Sequence, residues 1–397
     1  MPHQATAVPQ DFAEIQKNAL EAIAPICPAD DNTKARKDTL FSARRSRAGQ
    51  MLPEYYLVYF LLVELLGFRN LGKFEKLAGS VPIDFGGKAY LIEHRKVGIG
   101  VFVQDPEIDE PACEQIVKLI NQGVEAAKPY FAWLAEQAVR GSKLNVVNES
   151  SGLFGRYQYF LQKYRDACDE AERRSEDKVV ERRTASDGSQ WTSVSLPAHA
   201  LRKQSQWIAQ ASIDAFFSWT EHVFIHLAIL TGKARTGSDV ATLAVSSWYK
   251  KFACALDLDD DHTKDLCEKL STIREQLRNF MAHGAFGKRG EAFRFHSGAG
   301  AVPVLLTEER GHYGVTIDGE IAFDESSALK VIEEFIAHLW SGQREPARIY
   351  IQESGLPLVL TMASDGSYLS AMRSTAAMDE FVRDLSQQFD NAANMDW

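Results

Sequence analysis

Cysteine is scarce in this chain and badly placed for cross-linking. The five residues Cys27, Cys113, Cys168, Cys254 and Cys267 are odd in number, far apart and without a C-x-x-C pair. That excludes a disulfide framework and a structural zinc ribbon, and it suits a reducing cytoplasm. A long apolar run is also missing. The most apolar stretch, residues 57–66, is interrupted by Glu64 and is far shorter than the ~20 residues a membrane span needs. Residues 1–20 mix polar and apolar side chains with no small-residue cleavage site, so no secretory signal is expected. Positive charge is in deficit: 44 Lys and Arg stand against 54 Asp and Glu, a formal net charge of −10. A protein that coats nucleic acid with its whole surface is basic, so any such contact here must be local. P-loop and dinucleotide fingerprints, internal repeats and low-complexity tracts are all absent.

The chain does have the pattern of a globular protein, 45% hydrophobic and 25% charged over 397 residues, enough for two or three domains. Residues 51–68 read as an apolar helix, which 70–78 continue. Residues 81–85, 88–93 and 98–103 read as strands, with Gly86-Gly87 a two-residue hairpin turn. Helical spacing returns over 110–139 (Cys113, Ile116, Leu119, Ile120, Val124). A small α+β domain is therefore expected over 1–145, one that senses a ligand or otherwise regulates the rest of the chain.

Residues 146–200 read as a charged helix and a linker. Asp169, Glu170, Glu172, Arg173, Arg174, Glu176, Asp177 and Lys178 alternate in sign, as on a solvated helix, and 184–200 reads as a loop. Four helices are expected next, at 203–230, 239–256, 262–283 and 325–340, within a bundle domain over 201–345. A β insertion at about 286–324 separates the last two, with strands at 292–296, 302–306 and 313–317. The third helix carries Leu266, Leu270, Ile273, Leu277 and Phe280 at alternating steps of four and three, an apolar seam. Asp261 is placed to cap its start and Gly284 to end it. Residues 346–397 read as a hairpin (348–351 with 358–362) and a helix from about 376.

The most informative segment is Arg278-Asn279-Phe280-Met281-Ala282-His283-Gly284, closing the third helix. Arg and His separated by four residues, with a polar residue after the Arg, resemble the R-x4-H signature of the HEPN superfamily. The resemblance covers about residues 203–341, and Glu221-His222 in the first helix is of the kind seen in such domains. It implies a four-helix bundle acting as a metal-independent RNA endonuclease without a cofactor, in a toxin or an anti-phage effector. It also implies a homodimer, with both motifs facing one cleft, and RNA as substrate.

The chemistry is coherent with those residue types. An imidazole moves protons near neutral pH, so His283 is the expected acid/base. A guanidinium holds phosphate oxygens and stabilises building charge, the role expected of Arg278. Asn279 would orient the His or the substrate. Asn279 and His283 are one turn apart, but Arg278 and His283 diverge by about 140° on an ideal helix, which a second chain could complete. Lys288, Arg289 and Arg294 form a local basic cluster suited to RNA, and Glu221 and His222 stand as supporting residues. HEPN toxins controlled by nucleotidyltransferase antitoxins often carry a Tyr two residues after the His. Ala285 stands there, so a different trigger or inhibitor is expected.

Other readings remain open. A non-catalytic HEPN module binding RNA or a protein partner fits the same bundle. Asp84, Glu93 and Arg95 faintly resemble the acidic pair and basic residue of restriction-type, Mg²⁺-dependent DNA nucleases, although a Lys would be expected at 95. His222 and His226 have zinc-ligand spacing, but Glu221 precedes the first His, where the metalloprotease pattern needs Glu after it. No third ligand is evident.

Overall fold

The structure is a computed structural model. It describes residues 11–35, 42–72, 77–96, 98–184, 190–283, 293–298, 300–309, 312–317 and 324–393. The protein is of mixed α+β class and divides into two units, one from residues 1–141 with 387–397 and one from residues 142–386. Among the described residues no helix is long and apolar enough to cross a membrane.

In the first unit the expected hairpin forms. Gly86 and Gly87 take φ of 65° and 78°, the left-handed pair that a two-residue turn requires. They join β3 (Leu77–Phe85) to β4 (Lys88–Arg95), and β5 (Gly98–Val103) comes next. Two short strands, β1 (Cys27–Pro28) and β2 (Arg44–Arg45), complete an antiparallel sheet of order β1-β3-β4-β5-β2. Ile83, Ile92, Val101 and Val103 share its core with α1 (Phe12–Ile23) and α3 (Pro106–Ala126). Gly123 lets those two helices approach, since a Cβ there would lie 2.4 Å from Ile23 Cγ2. Helix α4 (Lys128–Arg140) ends the N-terminal run. The apolar helix at 51–68 is in fact α2 (Tyr55–Tyr59) running into a π-helical turn, Phe60–Leu65. The expected continuation over 70–78 is not helical where it is described: residues 70–72 form no helix, and β3 begins at Leu77, paired with Arg95.

The second unit is built on α5 (Ser150–Arg173) and α6 (Pro197–Leu230). Ser212 Oγ donates to Tyr157 O, Trp219 Nε1 to Ser150 Oγ, and the Glu149 amide to His222 Nε2. One number falls as the other rises, so the helices run antiparallel and lengthwise. This corrects the expected linker at 146–200. Asp169, Glu170, Glu172 and Arg173 of the charged run lie on the outer side of α5, with Arg173 bridging Glu170, and the rest of the run follows the helix end, while Tyr157, Leu161 and Ala171 are buried. The expected loop at 184–200 contains a strand, because β7 (Val179–Thr184) and β8 (Gln190–Ser195) form a hairpin.

The single helix expected at 239–256 is two, α7 (Gly237–Ala244) and α8 (Trp248–Ala255). Thr236 and Asp239 form a capping box for the first, and Ser247 caps the second, so each has its own start. Helices α9 (Asp261–His283) and α10 (Glu325–Leu339) flank a three-stranded antiparallel sheet, order β11-β10-β9, of β9 (Phe293–Ser297), β10 (Gly300–Glu309) and β11 (His312–Thr316). The expected tail hairpin is replaced by a π-helical turn, Ile349–Ser354, and a short strand, β12 (Leu358–Val359), that pairs with β6 (Asn145–Val146). Asn148 Nδ2 donates to the carbonyls of Tyr350, Ile351 and Leu356, which fixes that turn. The final helix spans Thr375–Ala393.

Phe335 of α10 sits at the centre of the second unit, fully buried, with Phe216, Phe224 and Phe252 at ring-centroid distances of 5.9, 6.2 and 5.7 Å. Truncating it would leave a cavity that three rigid rings cannot fill. Phe335→Ala is expected to cost ~3–5 kcal/mol of unfolding free energy, read from urea titration. Tyr249→Ala, at a residue 54% exposed, should change it by less than ~0.5 kcal/mol.

Candidate functional site

Helix α9 presents the Arg-Asn-His segment in its last two turns. Its start is capped by Asp260 rather than Asp261: the Asp260 carboxylate accepts from the Thr263 amide at 2.8 Å and the Thr263 hydroxyl at 2.6 Å. Leu266, Leu270, Ile273 and Leu277 of the expected seam are buried. Positions 278, 279 and 283 belong to the helix, and their side chains lie outside the described residues. Gly284, Lys288 and Arg289 also lie outside them. Arg294 is on β9 opposite Pro303, its side chain again outside the described residues.

Beside this helix end is a cavity of about 600 Å³ between α6 and α9. Asp214, Phe217, Ser218 and Glu221 line it from α6, and Arg274 and Leu277 from α9. The four α6 positions obey the i, i+3, i+4, i+7 rule for one helix face. Position 278 is one turn beyond Arg274 on the same side of α9. Glu221 organises the wall. Its Oε2 accepts from Lys251 Nζ of α8 at 2.7 Å, and its Oε1 from Arg274 Nη2 at 3.1 Å. The Lys251 side chain is only 6% exposed while that of Arg274 is 46% exposed. Lys251 therefore serves as an internal counter-charge, and Arg274 as a half-exposed cation held in place at the cavity. Sequence reading singled out Glu221 but missed Asp214, Lys251 and Arg274. Arg274 was findable, four residues before Arg278 on the same helix; no signal distinguished Lys251.

His222 does not join Glu221 in the cavity lining among the described residues. Its Nε2 accepts from the Glu149 amide at 3.0 Å. Burial, and then the neighbouring His226, pull its pKa down to about 3. The His226 ring lies against it, tilted by 36°, with ring centroids 4.1 Å apart. The His226 nitrogens lie 2.9 Å from His222 O and 3.1 Å from Val147 O. Burial lowers its pKa and outweighs these carbonyls, which act the other way. Both rings are thus neutral groups tying α6 to residues 147–149. Their zinc-like spacing has no third partner: among the described residues no group of three or more His, Cys, Asp or Glu side chains could hold a metal ion.

In the first unit, Asp84 Oδ1 accepts from the Gly87 amide within the hairpin turn. Glu93 is buried, receiving Ser80 Oγ at 3.0 Å and Arg95 at 2.6 Å, and the Arg95 guanidinium lies 3.9 Å from the Phe102 ring centre. Each member of that acidic-basic set has a local structural partner. No family model matches the chain, and no curated protein or solved structure matches it.

The Glu221 bridge and the neutral His222 ring can each be tested. Glu221→Gln strips Lys251 of its counter-charge and is expected to cost about 1–3 kcal/mol. Adding Lys251→Met should recover at least half of that, because the uncompensated buried charge is then gone. A double-mutant cycle in urea measures it, and a loss that Lys251→Met leaves untouched would exclude the pairing. For His222, the folded pKa lies below the ordinary value of about 6.5, so its contribution is complete above pH ~6.5 and is lost as pH falls from there toward 3. His222→Gln keeps an acceptor for the Glu149 amide without a titrating ring. The stability advantage of wild type over this variant should shrink between pH 7.5 and 4.5 in thermal melts; a constant advantage would refute the neutral ring.

Proposed function

We propose that the second unit is a metal-independent RNA endonuclease of HEPN type, serving as a toxin or an anti-phage effector. The observation that carries this reading is the R-x4-H segment at the end of α9, one turn past an Arg274 held by Glu221 on a cavity wall. A guanidinium beside a cavity binds phosphate oxygens readily. The chemistry needs little more. The RNA 2′-hydroxyl gives up its proton and attacks the adjacent phosphorus, the P–O5′ bond breaks, and the 5′-oxygen takes a proton. The products are a 2′,3′-cyclic phosphate and a 5′-hydroxyl. In this scheme His283 moves the proton, Arg278 stabilises the charge on the phosphorane, and Asn279 orients the His or the substrate. Because positions 278 and 283 diverge by about 140°, the working site is shared between two copies of the chain around a two-fold axis.

The full chain should therefore cut RNA in EDTA and leave 2′,3′-cyclic ends. His283→Ala should reduce the rate about 10²–10⁴-fold, as losing a general acid–base does. Undiminished cutting by His283→Ala, or strict dependence on Mg²⁺, would eliminate the mechanism. A folded, RNA-binding protein that cuts nothing would instead identify a non-catalytic RNA-binding module.

A further inference from the structure

The first unit carries a cavity of about 400 Å³ that the ribonuclease reading does not use. It lies between α2 with its π-helical turn and the β3–β5 strands. π-helical turns are rare and recur at functional sites, and this one starts at Phe60, directly after the tyrosine-rich α2. Tyr55 and Tyr56 line the cavity and are 48% and 45% exposed. Tyr55 is stacked on His94 with centroids 4.1 Å apart and planes 14° from parallel. Gly79 lies on the opposite side, where a Cβ would meet only the Asn70 amide, at 3.6 Å.

Asn70 sets the polarity. Its Oδ1 accepts from the Gly72 and Ser80 amides, both at 3.1 Å. Those two bonds fix which end of the amide is oxygen, so Nδ2 is left as a donor. Among the described residues nothing hydrogen-bonds Nδ2, the His94 ring nitrogens or the hydroxyls of Tyr55 and Tyr56. Burial lowers the His94 pKa, which favours a neutral ring offering one donor and one acceptor. Among the described residues the lining holds no Lys, Arg, Asp or Glu.

Each feature narrows the ligand. Exposed tyrosine rings favour a flat π-system. An oriented amide donor and a neutral imidazole require a partner with a hydrogen-bond acceptor, since a hydrocarbon would bury them unpaired. The described lining carries no charge, which disfavours a phosphate or carboxylate, since either would be desolvated with no counter-ion among those residues. The volume is that of a small-molecule site. We propose that this cavity binds a neutral, planar heteroaromatic molecule of the nucleobase or nucleoside class, packed against the exposed rings of Tyr55 and Tyr56, which stand edge to face with centroids 5.6 Å apart, and hydrogen-bonded by Asn70 Nδ2. All of its described lining belongs to the first unit.

The test is calorimetric titration of the full chain with adenosine, guanosine, cytidine and uridine. Adenosine 5′-monophosphate and indole, a flat ring with no acceptor, are added as controls. At least one nucleoside should bind one-to-one with Kd below ~1 mM, the monophosphate no more tightly than adenosine, and indole at least tenfold more weakly. Asn70→Asp keeps both backbone acceptor bonds, removes the donor and adds a negative charge where an acceptor of the ligand would lie. Tyr55→Ala removes a half-exposed ring whose loss the fold should tolerate. Each should weaken nucleoside binding at least tenfold, with the thermal melt of Tyr55→Ala unchanged. The proposal fails if no nucleoside binds, if indole binds as tightly as the best nucleoside, or if folded Tyr55→Ala binds as wild type does.

Discussion

A helix buried on most of its sides cannot carry an unpartnered polar group, and the second unit is arranged around that constraint. Helix α6 is such a helix, with Ser212, Trp219, Thr220 and His226 all buried in its interior. Each finds a partner on a neighbouring element. Ser212 and Trp219 bond to α5, and Trp219 also reaches Gln352 at 3.1 Å. Thr220 accepts from Trp248 of α8 at 3.0 Å. His222 and His226 bond to the segment leading into α5. These bonds fix how far α6 is rotated and slid along α5, and thereby which positions remain for the open side. Asp214, Ser218 and Glu221 occupy it, so the cavity wall results from polar matching elsewhere on the same helix.

Glu221 shows how the matching extends across the bundle. One carboxylate bridges an ammonium from α8 and a guanidinium from α9. The nearly buried Lys251 gains little beyond compensation for its lost hydration. What the bridge adds is position: the approach of α9 to α6 is set at Arg274, one turn before the segment proposed to do chemistry. The apolar seam beside Arg274 on α9 supplies adhesion, and the ionic bridge supplies registration.

Elements whose residues follow one simple pattern were legible in the sequence. The α9 seam, the strands of the first unit with their Gly86-Gly87 turn, and the β insertion are of this kind. Where two signals overlapped, the stronger misled. The charges of 169–178 advertised a solvated helix and hid Tyr157 and Leu161 on its inner side. Apolar continuity over 239–256 hid the break that Thr236, Asp239 and Ser247 encode through their caps. The tail turn residues Ser354 and Gly355 suggested a hairpin, whereas β12 pairs with β6 some two hundred residues earlier, a long-range pairing that local pattern does not contain. Of the candidate site, Arg278, Asn279, His283 and Glu221 stood out by residue type and spacing. Lys251 did not, because its role depends on what surrounds it in three dimensions.

The Asn148 clamp has a consequence for how the chain matures. Its acceptors lie 202, 203 and 208 residues further along the polypeptide. At ordinary synthesis rates of roughly 5–20 residues per second, ~10–40 s separate the appearance of Asn148 from that of the carbonyls it binds. Through that interval the start of α5 lacks its final restraint, and only release of the 349–356 turn from the ribosome closes the second unit. The order of manufacture thus delays completion of the second unit until residue 356 has been made.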